Sequence, residues 1–196
     1  MNVAIVKYNA GNICSVDYAL RRLGVQVNVT ADTEELRRAD KIIFPGVGEA
    51  VNTMSYLRRT GLDTVIKSLK QPVLGICLGM QLLCNHSEEG NVDCLGIFDV
   101  EVKKFTPSCR KEKVPHMGWN TISHTNSPLF NGFDKDEFVY FVHSYYVPLC
   151  AYTIAETDYI LPYSSALHKD NFYATQFHPE KSGSVGEQIL KNFLNI

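Results

Sequence analysis

The segment that most limits the possible folds of this chain is residues 71–81, with the sequence QPVLGICLGMQ. An apolar run after a proline predicts a buried strand, and residues 80–84 look helical, so Cys77 is expected on the turn between them. Glycines stand two positions before and two positions after Cys77, which is the nucleophile-elbow pattern with cysteine in place of serine. Glycine there allows a sharp turn that holds the nucleophile in a strained conformation, with no neighbouring Cβ to crowd it. The alternative is a buried structural cysteine at a strand end.

A second segment, residues 42–49 (IIFPGVGE), could supply hydrogen-bond donors to such a nucleophile. It is a buried strand that runs into a proline and then into Gly46 and Gly48 around Val47. The two glycines let a peptide plane turn or approach a ligand closely, so backbone N–H groups at Gly46, Val47 and Gly48 could form an oxyanion hole. An ordinary strand-to-helix turn would explain the same residues.

A thiol nucleophile also needs a base and a group that orients the base. Residues 172–177 are strand-like and end at His178, and Glu180 follows two residues later, past a proline that stops the sheet. In an extended stretch, positions 178 and 180 point to the same side, so the carboxylate could hold one imidazole nitrogen while the other faces Cys77. A histidine followed by a glutamate in a solvated loop is the alternative.

The order of apolar and polar runs predicts the fold class. Strand patterns at residues 3–7, 25–29, 41–44 and 73–76 alternate with helix patterns at residues 13–23, 32–35, 54–57 and 64–69. This βαβα order predicts an α/β fold: an open mixed, mostly parallel sheet with helices on both faces. From Leu95 onward the pattern predicts a few antiparallel strands, at residues 97–105, 121–123, 137–142 and 153–156, before residues 173–177 rejoin the main sheet and a helix at residues 185–194 closes the chain.

Composition narrows the class of protein. The chain has 196 residues, of which 45% are hydrophobic, so we expect one domain over residues 1–196 with a single core. A net charge of −2 gives no field that would attract nucleic acid or an anionic membrane. No apolar run approaches the length of a membrane span, and the N-terminus lacks a signal-peptide pattern, so we expect a cytoplasmic protein with reduced cysteines. The cysteine and histidine spacings predict no metal site and no cofactor.

Six short motifs, in this order along the chain, resemble the class I (triad) glutamine amidotransferases and, among them, the glutaminase subunits of imidazole glycerol phosphate synthase. The motifs are YNAGN at residues 8–12, PGVG at 45–48, GICLGMQ at 75–81, PHMGWN at 115–120, FVHSYY at 141–146 and FHPEKS at 177–182. The elbow and HPE are shared by the superfamily, whereas PGVG, HMGWN and HSYY are specific to this branch in combination. The resemblance covers nearly the whole chain and implies that the open sheet is of the flavodoxin-like type.

The resemblance implies a function and a set of site residues. Cys77, His178 and Glu180 would form the catalytic triad that hydrolyses L-glutamine to glutamate and ammonia through a thioester. The N–H groups of Leu78 and of the Gly46–Val47 segment would hold the oxyanion. Gln81, Ser144 and Tyr145 would help bind glutamine. The partner would be a (β/α)8-barrel synthase subunit in a heterodimer, which uses the ammonia to make imidazole glycerol phosphate and aminoimidazole carboxamide ribotide. The residues implied at the partner surface are Asn12, Trp119, Tyr140 and Lys181.

Three other functions are compatible with parts of this pattern. A glutaminase for pyridoxal phosphate, purine or anthranilate synthesis would share the triad, although not HMGWN and HSYY. A cysteine peptidase or related hydrolase of the same fold would need neither Gln81 nor PGVG. A binding module without activity would carry the motifs but would not build a reactive thiol.

Overall fold

The computed structural model describes residues 1–8, 12–124, 127–134 and 136–196. The strands, in chain order, are β1 (Asn2–Val6), β2 (Gln26–Thr30), β3 (Lys41–Gly46), β4 (Val73–Cys77), β5 (Cys84–Ser87), β6 (Val92–Asp93), β7 (Phe98–Lys104), β8 (His116–His124), β9 (Glu137–His143), β10 (Tyr145–Tyr146), β11 (Thr153–Asp158), β12 (Pro162–Lys169) and β13 (Phe172–Thr175). The α-helices are α1 (Ile13–Arg22), α2 (Thr33–Arg38), α3 (Ala50–Thr60), α4 (Leu62–Ser68), α5 (Leu78–Leu82) and α6 (Gly183–Asn195). Short 3-10 helices cover Pro128–Phe130 and Pro179–Lys181.

Nine of these strands form an open sheet in the order β2-β1-β3-β4-β13-β12-β11-β8-β9. The first five pair in parallel, and the rest of the sheet continues with antiparallel pairings. Every residue of β3 and β4 is buried, as expected for parallel strands that are covered on both faces. A second sheet, in the order β10-β7-β5-β6, packs beside the first.

Two apolar clusters, one on each face of the large sheet, hold the helices in place. One cluster joins α2, α3 and α4 to the sheet and includes Leu36, Leu57 and Ile66; the other joins α1 and α6 and includes Leu20 and Ile189. Helix α2 is also capped at its N-terminus. The Asp32 carboxylate accepts hydrogen bonds from the N–H groups of Glu34 and Glu35, both at 2.9 Å. Within the described residues, no helix is long and apolar enough to cross a bilayer.

The predicted α/β class, with an open mixed sheet and helices on both faces, is confirmed. The antiparallel part is larger than the sequence pattern indicates. β12 is missing from the sequence prediction because its central residues 163–167 are all buried, so the strand lacks the alternation that marks a half-buried strand. The helix after the elbow also differs, since it covers Leu78–Leu82 and Cys84 already begins β5. The predicted loop in the YNAGN motif lies largely outside the described residues, which omit positions 9–11.

Candidate active site

Cys77 is the last residue of β4 and stands immediately before α5. Its backbone has φ 54° and ψ −109°, a conformation that costs a residue other than glycine of order 1–3 kcal/mol and concentrates at functional sites. The neighbouring glycines permit close packing of the turn. A Cβ on Gly79 would come within 2.0 Å of the Phe44 carbonyl oxygen, and one on Gly75 within 2.8 Å of the Leu83 side chain. The turn therefore has the geometry that the sequence predicts for a nucleophile elbow.

His178 lies beyond the end of β13, the strand that pairs with β4. Its N–H donates to the Tyr140 carbonyl at 2.9 Å, and its own carbonyl accepts from the Ser182 hydroxyl at 2.7 Å. These two bonds fix the backbone, so the direction of the imidazole is set by β9 and by the turn that precedes α6.

Glu180 holds the imidazole from its Nδ1 side. The distance between His178 Nδ1 and Glu180 Oε1 is 2.7 Å, and both side chains are fully buried. The sequence prediction placed both residues on one extended stretch, which is wrong in geometry: Glu180 lies in the 3-10 helix Pro179–Lys181. Pro179 cannot continue the sheet, and the tight turn brings the carboxylate to the same nitrogen.

The charges around His178 favour its protonated form. Burial lowers the pKa of His178, but the negative charge of Cys77 and the Glu180 carboxylate outweigh this effect and raise the pKa to about 10. Its Nε2 has no hydrogen-bond partner among the described residues, while Nδ1 is taken by Glu180. Nε2 is thus the nitrogen that can exchange a proton with Cys77.

Asn12 extends the triad by one residue. Its side-chain Nδ2 donates to Glu180 Oε1 at 2.5 Å, and its backbone adopts φ 70° just before α1. The sequence analysis assigned Asn12 only to the surface that contacts the partner. In the structure this partly buried residue contacts the carboxylate that orients the base, so it can position the triad whatever else it contacts.

The predicted oxyanion segment lies directly beside the elbow. The last parallel rung between β3 and β4 pairs Gly46 with Cys77, and the chain leaves the sheet at Val47. A Cβ on Gly46 would lie 2.7 Å from the Leu78 Cβ, so only glycine fits there. Gly48 has φ 126° and open space around it, so glycine is needed there for its conformation.

Tyr8 fixes the same segment from the other side, and the sequence prediction missed this role. Its hydroxyl donates a hydrogen bond to the Pro45 carbonyl, and its ring is buried. Burial raises the pKa of Tyr8 well above its usual value, and the charge of Cys77 adds to the shift. The hydroxyl therefore remains a donor. Only its position inside the YNAGN motif could have indicated it, since nothing about a tyrosine at a strand end specifies a carbonyl partner.

A cavity of about 340 Å³ opens at the elbow. Its lining includes Cys77 and most of the predicted substrate-binding residues: Val47, Gly48, Leu78, Gln81, Ser144 and Tyr145. Gly46 stands behind it in β3. The volume suits a ligand of amino-acid size, and the lining comes from separate segments around Val47, Leu78 and Tyr145.

Gln81 is buried beneath this cavity. Its Nε2 donates to the Tyr145 carbonyl at 3.0 Å and to Gln176 Oε1 at 2.9 Å, and Gln176 Nε2 lies 3.8 Å from Cys77 Sγ. Both N–H groups of Gln81 are therefore engaged with the protein. Gln176, which the sequence prediction did not single out, links Gln81 to the nucleophile.

The four residues predicted at a partner surface lie near the triad. Trp119 lies on β8 and is 56% exposed. Its ring packs against the ring of Tyr140, its cross-strand neighbour on β9, with the two ring centroids 6.0 Å apart. Met117 and Phe138 lie on the same outward face of these two strands and are also exposed. Lys181 is exposed next to Glu180, and Asn12 is partly buried. The exposed Met117, Trp119 and Phe138 and the half-buried Tyr140 are together named the aromatic face below.

Within the residues that the structure describes, no group of three or more His, Cys, Asp or Glu side chains could hold a metal ion. The site consists of a thiol, an imidazole, a carboxylate and backbone donors. These are the groups that acyl transfer through a covalent intermediate requires.

Comparison with known proteins identifies the family. The family model described as Glutamine amidotransferase class-I matches residues 5–196. A protein of Bacteroides thetaiotaomicron named "Imidazole glycerol phosphate synthase subunit HisH" is 70% identical over 196 residues, which covers all of both chains. A protein of the same name from Idiomarina loihiensis is 46% identical over 197 residues, covering 100% of this chain and 98% of the relative. The chain therefore belongs to the class I glutamine amidotransferases and, within them, to the family of HisH subunits of imidazole glycerol phosphate synthase.

Solved structures agree at the level of fold. A crystal structure described as a glutamine amidotransferase matches with a TM-score of 0.74 at 19% identity, covering 98% of this chain and 97% of that one. The structure of PurLQS from Thermotoga maritima matches with a TM-score of 0.73 at 15% identity, covering 99% and 97%. At these identities the likeness supports the fold alone. The family assignment leaves the peptidase and the other glutaminase pathways without a supporting observation.

Proposed function

We propose that this chain is the glutaminase subunit of an imidazole glycerol phosphate synthase and supplies ammonia for histidine biosynthesis. The observation that carries the proposal is the placement of Cys77, at a positive φ on the elbow, between the His178–Glu180 pair and the Gly46–Gly48 segment. Each of these parts is what hydrolysis of a carboxamide through a thioester needs.

The reaction begins when the Cys77 thiolate attacks the side-chain carbonyl carbon of L-glutamine. His178 transfers its Nε2 proton to the departing nitrogen, which leaves as ammonia, and a glutamyl thioester remains on Cys77. The imidazole then takes a proton from water, and the resulting hydroxide attacks the thioester. Glutamate is released and the Cys77 thiolate is regenerated. Glu180 keeps the proton on Nδ1 and stabilises the imidazolium, while Asn12 holds Glu180.

The negative oxygen formed in both steps is stabilised by backbone N–H groups of Leu78 and of the Gly46–Val47 segment. Each donor of this kind contributes roughly 3 kcal/mol to the transition state in typical enzymes. Gln81, Ser144 and Tyr145 line the cavity, and we assign them to binding of the glutamine molecule. Residues 1–196 act as one domain in this proposal, because Cys77 and His178, which are far apart in sequence, follow neighbouring strands of one sheet. We place the protein in the cytoplasm, where glutamine and the pathway intermediates are found.

The partner in this proposal is the (β/α)8-barrel cyclase subunit, which uses the ammonia to form imidazole glycerol phosphate and aminoimidazole carboxamide ribotide. The aromatic face supports this, because its residues Met117, Trp119 and Phe138 are exposed, and exposed apolar patches mark interaction sites. Tyr140 belongs to this face and its carbonyl also holds the His178 N–H. A partner bound there, in contact with Trp119, Tyr140, Lys181 and Asn12, would receive ammonia beside the triad.

The nucleophile can be tested in the complex with the cyclase subunit. Cys77→Ser should abolish glutamine-dependent synthesis and leave synthesis from added ammonium unchanged, because only the glutaminase step needs the thiolate. Cys14→Ser, which changes an exposed cysteine, is the matched control and should retain both activities. An electrophilic glutamine analogue should label the wild type and Cys14→Ser, and not Cys77→Ser. Glutamine-dependent turnover in Cys77→Ser above a trace would refute the assignment of Cys77.

The aromatic face can be tested by binding. Trp119→Ala should weaken the complex with the cyclase subunit by about tenfold or more, since a buried aromatic anchor contributes a large share of interface energy. Leu149→Ala removes an exposed apolar side chain outside this face and should leave the dissociation constant unchanged. Equal affinities of Trp119→Ala and the wild type, measured by calorimetry, would remove this face from the interface.

A further inference from the structure

A buried polar chain outside the triad leads from β8 to the substrate cavity. It consists of Asn120, His116, Tyr163 and His143, and ends on the backbone carbonyl of Tyr145. His116 is 4% exposed, His143 is 6% exposed and Tyr163 is fully buried. Neither histidine contacts glutamine in the proposed mechanism, so their conformations need another explanation.

The direction of every hydrogen bond in this chain follows from its last acceptor. His143 Nδ1 lies 2.7 Å from the Tyr145 carbonyl oxygen, which can only accept, so Nδ1 carries a proton. In the neutral ring Nε2 is then an acceptor, and the Tyr163 hydroxyl, 3.2 Å away, must donate to it. The Tyr163 oxygen in turn accepts from His116 Nδ1, also at 3.2 Å.

The other end of the chain is consistent with this direction. His116 Nε2 is left as an acceptor, and Asn120 Nδ2 stands 3.4 Å from it. The Asn120 amide is oriented independently, because its Oδ1 accepts from the Thr121 N–H at 2.8 Å and its Nδ2 also donates to the Asp158 carbonyl at 2.9 Å. Each donor thus meets one acceptor, and both histidines are neutral with the proton on Nδ1.

The surroundings keep both rings neutral. Burial lowers the pKa of His116 to about 4. Burial is also the main reason why the pKa of His143 is lowered to about 3. Phe141 and Tyr159 stack on His116, with ring centroids at 4.8 Å and 3.9 Å, so the imidazole cannot turn over without disturbing both neighbours.

The chain ends where the glutamine site begins. The Tyr145 carbonyl accepts from His143 and from Gln81, and Gln81 continues through Gln176 to Cys77. At the other end, His116 and Asn120 point inward from β8, the strand whose outward residues Met117 and Trp119 belong to the aromatic face. One connected set of hydrogen bonds therefore joins the inner side of that face to the loop that lines the cavity.

We propose that Tyr163 is a positioning residue for glutamine binding: by accepting from His116 and donating to His143 Nε2, it holds the His143 ring where its Nδ1–H donates to the Tyr145 carbonyl, and so holds the Ser144–Tyr145 loop. The expected effect on glutamine kinetics rests on the proposed function. The positions of the protons in the chain do not depend on that function. Loss of the Tyr163 hydroxyl leaves one buried donor and one buried acceptor without partners.

The proton positions can be measured directly. In protein labelled with ¹⁵N-histidine, long-range ¹H–¹⁵N spectra at neutral pH should show His116 and His143 as neutral rings with the proton on Nδ1 and a non-protonated Nε2. In Tyr163→Phe, both rings should keep this tautomer, because the Tyr145 carbonyl still accepts from His143 and Asn120 still donates to His116 Nε2. The ¹⁵N shifts of His143 Nε2 and His116 Nδ1 should change, because both atoms lose their hydrogen-bond partner. A proton on Nε2 of either ring in the wild type would overturn the proposal, even if the variant failed to fold.

The kinetic consequence is tested in the complex with the cyclase subunit. Tyr163→Phe should raise the KM for glutamine by about fivefold, the effect of one lost hydrogen bond, with kcat within about twofold, because binding and not the transition state is affected. Tyr159→Phe is the matched control. It removes a hydroxyl that donates to the Lys113 carbonyl at 2.7 Å, outside the chain, and KM should stay unchanged.

The outcomes separate the two proposals. A KM for Tyr163→Phe equal to that of the wild type, or the same rise in Tyr159→Phe, would overturn the positioning role. A lower melting temperature with unchanged KM would assign Tyr163 to stability alone and would also overturn it. If the wild-type complex hydrolysed no glutamine, the proposed function would fail, and the histidine tautomers would still decide whether the hydrogen-bond chain is as inferred.

Discussion

Glu180 is held by two donors, and this arrangement determines what its replacement should do. Asn12 Nδ2 and His178 Nδ1 both approach Glu180 Oε1, at 2.5 Å and 2.7 Å. A glutamine in this position can still offer its carbonyl oxygen to both donors. The orientation of the imidazole would then survive, and only the negative charge that stabilises the imidazolium would be lost.

We therefore expect Glu180→Gln to lower kcat for glutamine hydrolysis less than His178→Ala does. Removing the histidine of a triad typically costs about a million-fold, whereas removing the acid costs about 100-fold less than that. The two variants should be compared with the same cyclase subunit at saturating glutamine. An equal or larger loss in Glu180→Gln would show that the roles of His178 and Glu180 are misassigned.

Tyr8 offers a second test at the level of a single side chain. Its hydroxyl holds the Pro45 carbonyl, two residues before Val47, and so limits where the oxyanion segment can move. Tyr8→Phe should lower kcat by up to about tenfold, the usual effect of one buried hydrogen bond, without changing KM. Tyr56→Phe, which changes a partly buried tyrosine on α3, is the control. A KM effect without a kcat effect would place Tyr8 in glutamine binding.

At the scale of elements, we expect the conformation of the segment between β3 and α3 to control the rate of glutamine hydrolysis. Gly46 belongs to the last rung of the sheet, while Gly48 adopts φ 126° with nothing within 4 Å of the position of a Cβ. Alanine at position 48 would thus meet no atom and would act through backbone strain alone, which costs of order 1–3 kcal/mol. If the Gly46–Val47 peptide turns its N–H toward Cys77 only in one state, then a change at Gly48 alters the population of that state.

This hypothesis predicts how the partner activates the chain. Binding of the cyclase subunit with its ligand should raise kcat for glutamine by about 100- to 1000-fold, the effect of one oxyanion donor, with little change in KM. Gly48→Ala should change the activated kcat, whereas Gly24→Ala, also at a positive φ of 76° with open space, should not. If the partner lowered only the KM for glutamine and left kcat unchanged, the hypothesis would be contradicted. Full activity of the isolated chain would contradict it as well.

Elements with a strong local signal could be predicted from the sequence. The parallel strands and their helices follow from apolar runs and caps such as Asp32. The elbow followed from two glycines around one cysteine, and the Gly79–Phe44 contact shows why they are needed. The strands β5, β6, β10 and β12 could not be predicted, because they are short or uniformly buried and are specified by their pairing. The same limit applies to Tyr8, Gln176 and Tyr163, whose roles depend on contacts with distant segments.

At the scale of the whole molecule, the site forms where the parallel half of the sheet meets the antiparallel half. β13 pairs in parallel with β4 and antiparallel with β12, so Cys77 and His178 leave the sheet at the same edge although they are far apart in sequence. Open α/β sheets place their sites at this edge. The antiparallel half then adds β8 and β9, which carry the aromatic face on one side and the buried histidines on the other.

Three buried histidines should give the folding stability of the whole molecule a maximum near pH 6.5. The pKa of His116 is lowered to about 4 and that of His143 to about 3, so below pH 6.5 the unfolded chain binds protons that the folded chain does not. Stability then falls as the pH decreases toward these values. His178 acts in the opposite direction. Although burial lowers its pKa, the charges of Cys77 and Glu180 raise it to about 10, so its contribution is full below pH 6.5 and is lost as the pH rises toward 10.

Urea unfolding of the isolated chain at several pH values measures both limbs. One proton of difference changes the unfolding free energy by about 1.4 kcal/mol per pH unit, so the two neutral histidines give a slope of up to about 2.7 kcal/mol per unit near pH 5. Cys77→Ala removes the charge that favours protonated His178 and should flatten the limb between about pH 7 and pH 9. The acid limb should keep its slope in this variant, because His116 and His143 are unchanged. A stability that rises steadily from about pH 5 to pH 9 in the wild type would contradict the protonation states assigned to all three histidines.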